Sequence, residues 1–174
     1  FSAALRATPP GNRDRLLFPW FEPEITPDVP VPGIRRVNLD PNDGPGHVRG
    51  VVEAQMMAMA NHSAWMGVDV RVIHATGGAS ANRDILQVLA DVFNADVYQF
   101  EVRNSACLGA ALRAWHADAA ATGHPVSWPD VVRDLAMPTA GGPLRPGAAS
   151  TETYPALRRR YAREERAARG LGLQ

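Results

Sequence analysis

The sequence contains no lysine, and all of its 18 basic residues are arginine. That absence removes a lysine nucleophile, a Schiff-base lysine and the Gly-Lys-Ser/Thr phosphate clamp of a P-loop. Cys107 is the only cysteine, so no internal disulfide can form. No apolar run approaches the roughly 20 residues of a membrane-spanning helix, and no charged-then-apolar leader opens the chain. Charge excess is missing too: 18 acidic residues balance the arginines and the pI is about 7.2. Electrostatics therefore recommends neither nucleic acid nor a membrane surface as a partner. The five histidines (His47, His62, His74, His116 and His124) show no ligand spacing with Cys107 or a carboxylate cluster. Asp40, Asn42 and Asp43 start like a calcium loop, but Gly44 comes too early and no glutamate stands at the twelfth position.

What remains is a chain of 174 residues, 45% of them hydrophobic, which is enough for one core. Its first residue, Phe1, with no initiator methionine before it, reads as the start of a piece of something longer. Eight prolines from Pro9 to Pro41 limit the front to turns and short edge strands. A turn cluster at Asp40–Gly44 is followed by Val48, Val51, Val52, Met56, Met59 and Met66 at helical spacing, which predicts a long amphipathic helix up to Gly67. The β-branched run Val68, Val70, Val72, Ile73 predicts a buried strand ending at Ala75 and Thr76. Ile85, Leu86, Leu89, Val92 and Phe93 predict a second amphipathic helix, Asp96 to Val102 a second strand, and Ser105 to Trp115 a third helix. On that third helix Ala106, Gly109 and Ala110 form a face without bulk, expected to pack closely on a neighbour, and Cys107 is expected to act as a small buried hydrophobe. Trp128 to Leu135 predicts a short helix, 138–151 a linker, and Glu152 to Arg169 a charged surface helix carrying Tyr154, Leu157 and Tyr161. Alternating helices and strands favour an α/β layer fold. Trp20, Trp65, Trp115 and Trp128 are spread along the chain and read as core or interface anchors.

Chemistry concentrates in Thr76 to Phe93, where a strand meets Gly77 and Gly78 and then a helix. Glycines there let a backbone approach a ligand, and the free N–H groups of a helix start attract phosphate or ribose oxygens. The same pattern also serves as a plain tight connection, and both readings stay open on these residues alone. It is not a Rossmann fingerprint, because no third glycine follows.

The longer string TGGASANRDILQVLADVFNADVY, followed by NSACLGAALRAWH, resembles the C-terminal domain of the FGGY carbohydrate kinases. Thr76 to Ala111 reproduces its strand ending in Gly-Gly-Ala, its helix, its short strand and its small-residue helix. ATGGAS, NR, ILQVLADVF and NSAC, with EITP at Glu24–Pro27 and FSAAL at the start, resemble in particular eukaryotic-type members that phosphorylate D-xylulose. The resemblance implies a ribonuclease H-like, actin-like ATPase fold with a mixed sheet flanked by helices. It assigns 1–137 to a nucleotide-binding domain and 138–174 to a linker and a helix packing back on it. It further implies ATP and magnesium as cofactors and a ketose, D-xylulose, as the acceptor that becomes D-xylulose 5-phosphate. Gly77, Gly78 and Ala79 would hold ATP through backbone and Asn82 through its amide. The catalytic base, the magnesium carboxylates and most of the sugar pocket belong to an N-terminal domain that has no counterpart in this chain. A cytoplasmic setting follows from the resemblance and the lone cysteine, and a homo-oligomer is compatible with it. Two other readings are a kinase half for glycerol, ribulose or another polyol, and a non-catalytic actin-like nucleotide-binding or interaction module.

Overall fold

The computed structural model describes residues 1–100, 102, 104–135 and 137–171. Two small sheets and the helices around them carry the core. Leu16–Trp20 (β1) pairs antiparallel with Gly33–Val37 (β2), and Val72–Ala75 (β3) pairs in parallel with Asp96–Gln99 (β4). Two antiparallel bridges, Val97 to Leu144 and Phe100 to Pro138, add mixed pairing to β4. The stretch from Pro138 to Gly147 is thus tied to the sheet at two points, and Leu144 is buried.

Helix α1 (Ser2–Ala7) was not expected in the proline-rich front. It is too short to be stable alone and is held by Leu5, which is buried against α2 (Gly44–His62). The turn Pro10–Asp14 that follows is left-handed at Gly11, Asn12, Arg13 and Asp14. Such backbone costs about 1–2 kcal/mol for each non-glycine residue, so tertiary bonds must hold it. Gly11 N–H donates to Glu53 Oε1 at 2.8 Å, and Asn12 Nδ2 donates to the Gly46 carbonyl at 3.0 Å. Glu53 in turn receives Arg49 Nε at 2.7 Å and the Tyr154 hydroxyl at 2.7 Å. Burial pushes the Glu53 carboxyl up against the pull of Arg49 and pushes the Tyr154 phenol up as well.

Helix α2 begins at Gly44, where Asp43 caps it by accepting Gly46 N–H at 2.9 Å, and it ends at His62, five residues short of the expected Gly67. A 310 turn, Ala64–Met66, replaces the last predicted turn and leaves Trp65 84% exposed. Helix α3 (Arg83–Phe93) lies where periodicity placed it and buries Leu86, Val88, Leu89 and Val92. Helix α4 (Ser105–Ala121) and the short α5 (Trp128–Val132) pack on each other. Helix α6 (Ala148–Ala168) crosses α2 and α3, burying Tyr154, Leu157 and Tyr161. Tyr161 stacks at 4.7 Å on Phe18 of β1, which joins α6 to the core.

Three expectations about burial are corrected. β3 starts at Val72 rather than Val68, and it is not a buried strand: Val72 and His74 are exposed and only Ala75 is buried. On α4 only Leu112 and Ala119 are buried. Among the described residues a Cβ added at Gly109 meets nothing within 4 Å, so the small-residue face packs on none of them, and Cys107 is exposed. Of the four tryptophans, Trp20 is in the core and Trp128 stacks at 4.2 Å on His116 where α5 meets α4, whereas Trp65 and Trp115 are exposed. The first two have a physical cause: β3 has a hydrogen-bonded neighbour on one side only among the described residues, and α4 packs chiefly on the short α5. No helix is long and apolar enough to cross a membrane among the described residues.

Candidate functional site

The site is built at the end of β3, where parallel pairing puts Ala75 opposite Gln99 of β4. The chain leaves the sheet through Thr76 and turns at Gly77, whose φ of +89° and extended ψ suit glycine and strain any other residue. Gly78–Ala81 then forms one 310 turn before Asn82 opens α3. Among the described residues the N–H groups of Gly78 and Ala79 meet no acceptor, and both residues are exposed. A Cβ built on Gly77 or on Gly78 meets nothing within 4 Å. The strand end thus presents two unused donors to open space, which is the geometry for taking an oxygen of a bound molecule.

Asn82 plays a second part. Its Oδ1 accepts the N–H groups of Asp84 at 2.9 Å and Ile85 at 3.2 Å, which caps α3. Its Nδ2 donates to Ser2 Oγ of α1 at 3.0 Å. The amide expected to face a nucleotide therefore already has a partner at each end, and only the Ser2 bond can be exchanged without opening the helix. Arg6 of α1 pairs with Asp84 at 2.8 Å, so α1 rests on the start of α3 through Ser2 and Arg6. Thr76 Oγ1 reaches Ser105 Oγ at 3.2 Å and links the turn to the start of α4.

Beside the turn lies a cavity of about 580 Å³ lined by Gly77, Ser80, Ala81, Arg83, Gln99 and Thr139. Ser2, Gln99 and Thr139 had no signal in the sequence. They lie on separate segments, 80, 19 and 40 residues from the residues they bond, Asn82, Ser80 and Gln99. Among the described residues no group of three or more His, Cys, Asp or Glu is placed to hold a metal ion. The unused donors of Gly78 and Ala79 lie beside this cavity and not in its lining, and among the described residues no carboxylate cluster assembles a magnesium site.

Residues 11–117 match the FGGY family of carbohydrate kinases, C-terminal domain. The chain is 42% identical over 173 residues to the xylulose kinase of Rattus norvegicus, covering 95% of this chain and 31% of the rat protein. The crystal structure of xylulose kinase from Rhodospirillum rubrum superposes with a TM-score of 0.75 at 24% identity, over 96% of this chain and 33% of that one. Gluconate kinase from Lactobacillus acidophilus superposes with a TM-score of 0.76 at 21% identity, over 95% of this chain and 33% of that one. These structures share the fold, an α/β fold of the actin-like ATPase type. The chain spans about a third of the length of each of these proteins.

Proposed function

Because this chain belongs to the FGGY family of carbohydrate kinases as a C-terminal domain, we propose that it supplies the ATP-gripping half of the cleft in a D-xylulose kinase. Gly77, Gly78 and Ala79 hold the nucleotide through backbone, and Asn82 holds it through Nδ2 once Ser2 Oγ is displaced. In the complete kinase, the terminal hydroxyl oxygen of D-xylulose attacks the γ-phosphorus of ATP. The bond from that phosphorus to the β–γ bridging oxygen breaks and ADP leaves, yielding D-xylulose 5-phosphate. The hydroxyl proton passes to a base on the N-terminal domain of the same kinase, which also carries the carboxylates for magnesium. Such a transfer depends on positioning and charge stabilisation, so the half-cleft alone is expected to bind without turning over.

One observation carries the reading: two exposed, unpaired N–H groups, on Gly78 and Ala79, stand at a strand end beside a cavity of about 580 Å³. In this reading 1–137 is the nucleotide-binding unit, and 138–174 returns along it through Leu144, Tyr154, Leu157 and Tyr161, which share its core. Val72 on β3 and the Cys107–Gly109 face of α4 are surfaces suited to a partner domain. The acceptor rests on sequence identity to xylulose kinases, since a gluconate kinase shares the fold equally well. A reducing, cytoplasmic setting belongs to the same reading and suits a free, exposed Cys107.

Calorimetric titration of Mg-ATP into the protein and into Gly78→Val and Asn82→Ala tests the site. Valine at Gly78 meets no protein atom at Cβ, so it occupies the ligand's space without disturbing the fold, and binding is expected to fall at least tenfold. If both variants bind as the parent does, the site assignment is wrong. Assay of the full-length kinase on D-xylulose, ribulose, glycerol and gluconate identifies the acceptor.

A further inference from the structure

The glycine turn is fixed from β4 by a single side chain. Gln99 Nε2 donates to the Ser80 carbonyl at 2.7 Å, and its Oε1 accepts Arg83 Nη1 at 3.3 Å. Ser80, which is buried, returns its hydroxyl to the Gly77 carbonyl at 2.7 Å, and its N–H donates to the same oxygen at 3.2 Å. The carboxamide thus lies at the middle of a chain of bonds running Arg83, Gln99, Ser80, Gly77. Gln99 is itself immobilised: it pairs with Ala75 in the parallel ladder, and its carbonyl accepts Thr139 N–H at 2.7 Å. Among the described residues no other side chain of β4 bonds the turn.

The consequence concerns the two unused donors. Gly78 and Ala79 sit between Gly77 and Ser80, and Gly77 is in backbone that glycine visits freely. A turn of that kind keeps its donors aimed only if its flanks are pinned. The Gly77 carbonyl is pinned by Ser80, and the Ser80 carbonyl by Gln99. We infer that Gln99 is a positioning residue for nucleotide binding: it holds the Gly77–Ser80 turn, and Arg83 beside it, in the shape that receives ATP. Gln99 touches the turn rather than the acceptor, so it governs affinity for ATP and leaves affinity for the sugar alone. This inference rests on the reading of the turn as the ATP site.

The test is steady-state kinetics of the full-length kinase with Gln99→Leu, Gln99→Glu and Gly78→Val. Leucine removes both bonds; glutamate can still accept from Arg83 but has no hydrogen to give the Ser80 carbonyl. Both Gln99 variants are expected to raise KM for ATP about tenfold, the loss that follows when a buried carbonyl goes without its donor. KM for D-xylulose and kcat should stay within about twofold, and if the leucine variant fails to fold, the glutamate variant decides. An unchanged KM for ATP in the Gln99 variants, while Gly78→Val abolishes ATP use, overturns the role of Gln99 and leaves the site reading intact. An unchanged KM in all three overturns the site reading and this inference with it. A fall in kcat or in active fraction, with the ratio of the two KM values unmoved, shows Gln99 to be merely structural and also overturns it.

Discussion

Replacing both members of the Arg49–Glu53 pair should cost less than the two single replacements added together. The side chains are 6% and 0% exposed, with Arg49 Nε 2.7 Å from Glu53 Oε1. Removing either partner leaves a charge in the interior, a loss of about 3–5 kcal/mol. A chain of this size shifts its melting temperature by roughly 2–4 °C for each kcal/mol. Arg49→Met and Glu53→Met should therefore each lower Tm by about 6–20 °C. In the double variant no charge is stranded. Gly11 N–H still has the Tyr154 hydroxyl at 3.3 Å, and the new defects are the Leu5 carbonyl, which loses Arg49 Nη1, and the Tyr154 O–H, which loses Glu53 Oε1 as its acceptor. Each defect costs about 1–3 kcal/mol and is already present in one of the single variants, so the double variant should lose clearly less than the sum of the two single losses. Thermal unfolding of the four proteins followed by far-UV circular dichroism closes the cycle. The reasoning fails if the double variant loses the sum of the two single losses, or if each single variant loses less than about 1 kcal/mol.

Asn82→Asp keeps the cap oxygen for Asp84 and Ile85 but lacks the Nδ2 donor, so Tm should hold while Mg-ATP binding weakens; Asn82→Ala should lose about 1 kcal/mol of stability as well, and equal Tm values for the two would refute the capping role. Gly46 N–H and Arg15 hold the Asp43 carboxyl below its usual range. A carboxylate so lowered contributes stability above its unfolded value of about 3.9 and loses it as pH falls through the lower folded value. Asp43→Asn keeps the helix cap and loses the Arg15 pair, so the steepness of acid unfolding below about pH 4 should diminish, as read from Tm against pH. Cys107, exposed on α4, should react completely with a thiol reagent in the native protein, without the lag that burial would impose.

Local rules carried α3 a long way. The spacing of Ile85, Leu86, Leu89 and Val92 fixed its buried face, and Asn82 before it is a good cap residue. The glycine turn was equally plain, because Gly77 stands where the backbone enters a region other residues avoid. Helix α1 was illegible. Its six residues lie among prolines, and it survives through Leu5 on α2 and through Ser2 and Arg6 on the start of α3. α6 read as a surface helix from its arginines, yet Tyr154 and Tyr161 carry it into the core.

By itself the sequence determined the order of helices and strands from α2 onward, the glycine turn and the family, since these depend on residues close together along the chain. Only the tertiary structure decided which faces are covered and which side chains meet at the turn. A run such as Val68 to Ile73 or Ala106 to Ala110 records that a face is apolar or small. Whether something lies against it depends on a neighbour that no local pattern encodes, and here Val72 is exposed and a Cβ at Gly109 meets nothing among the described residues. Ser2 and Gln99 reach the turn for the same reason: their place was set by packing across 80 and 19 residues of chain.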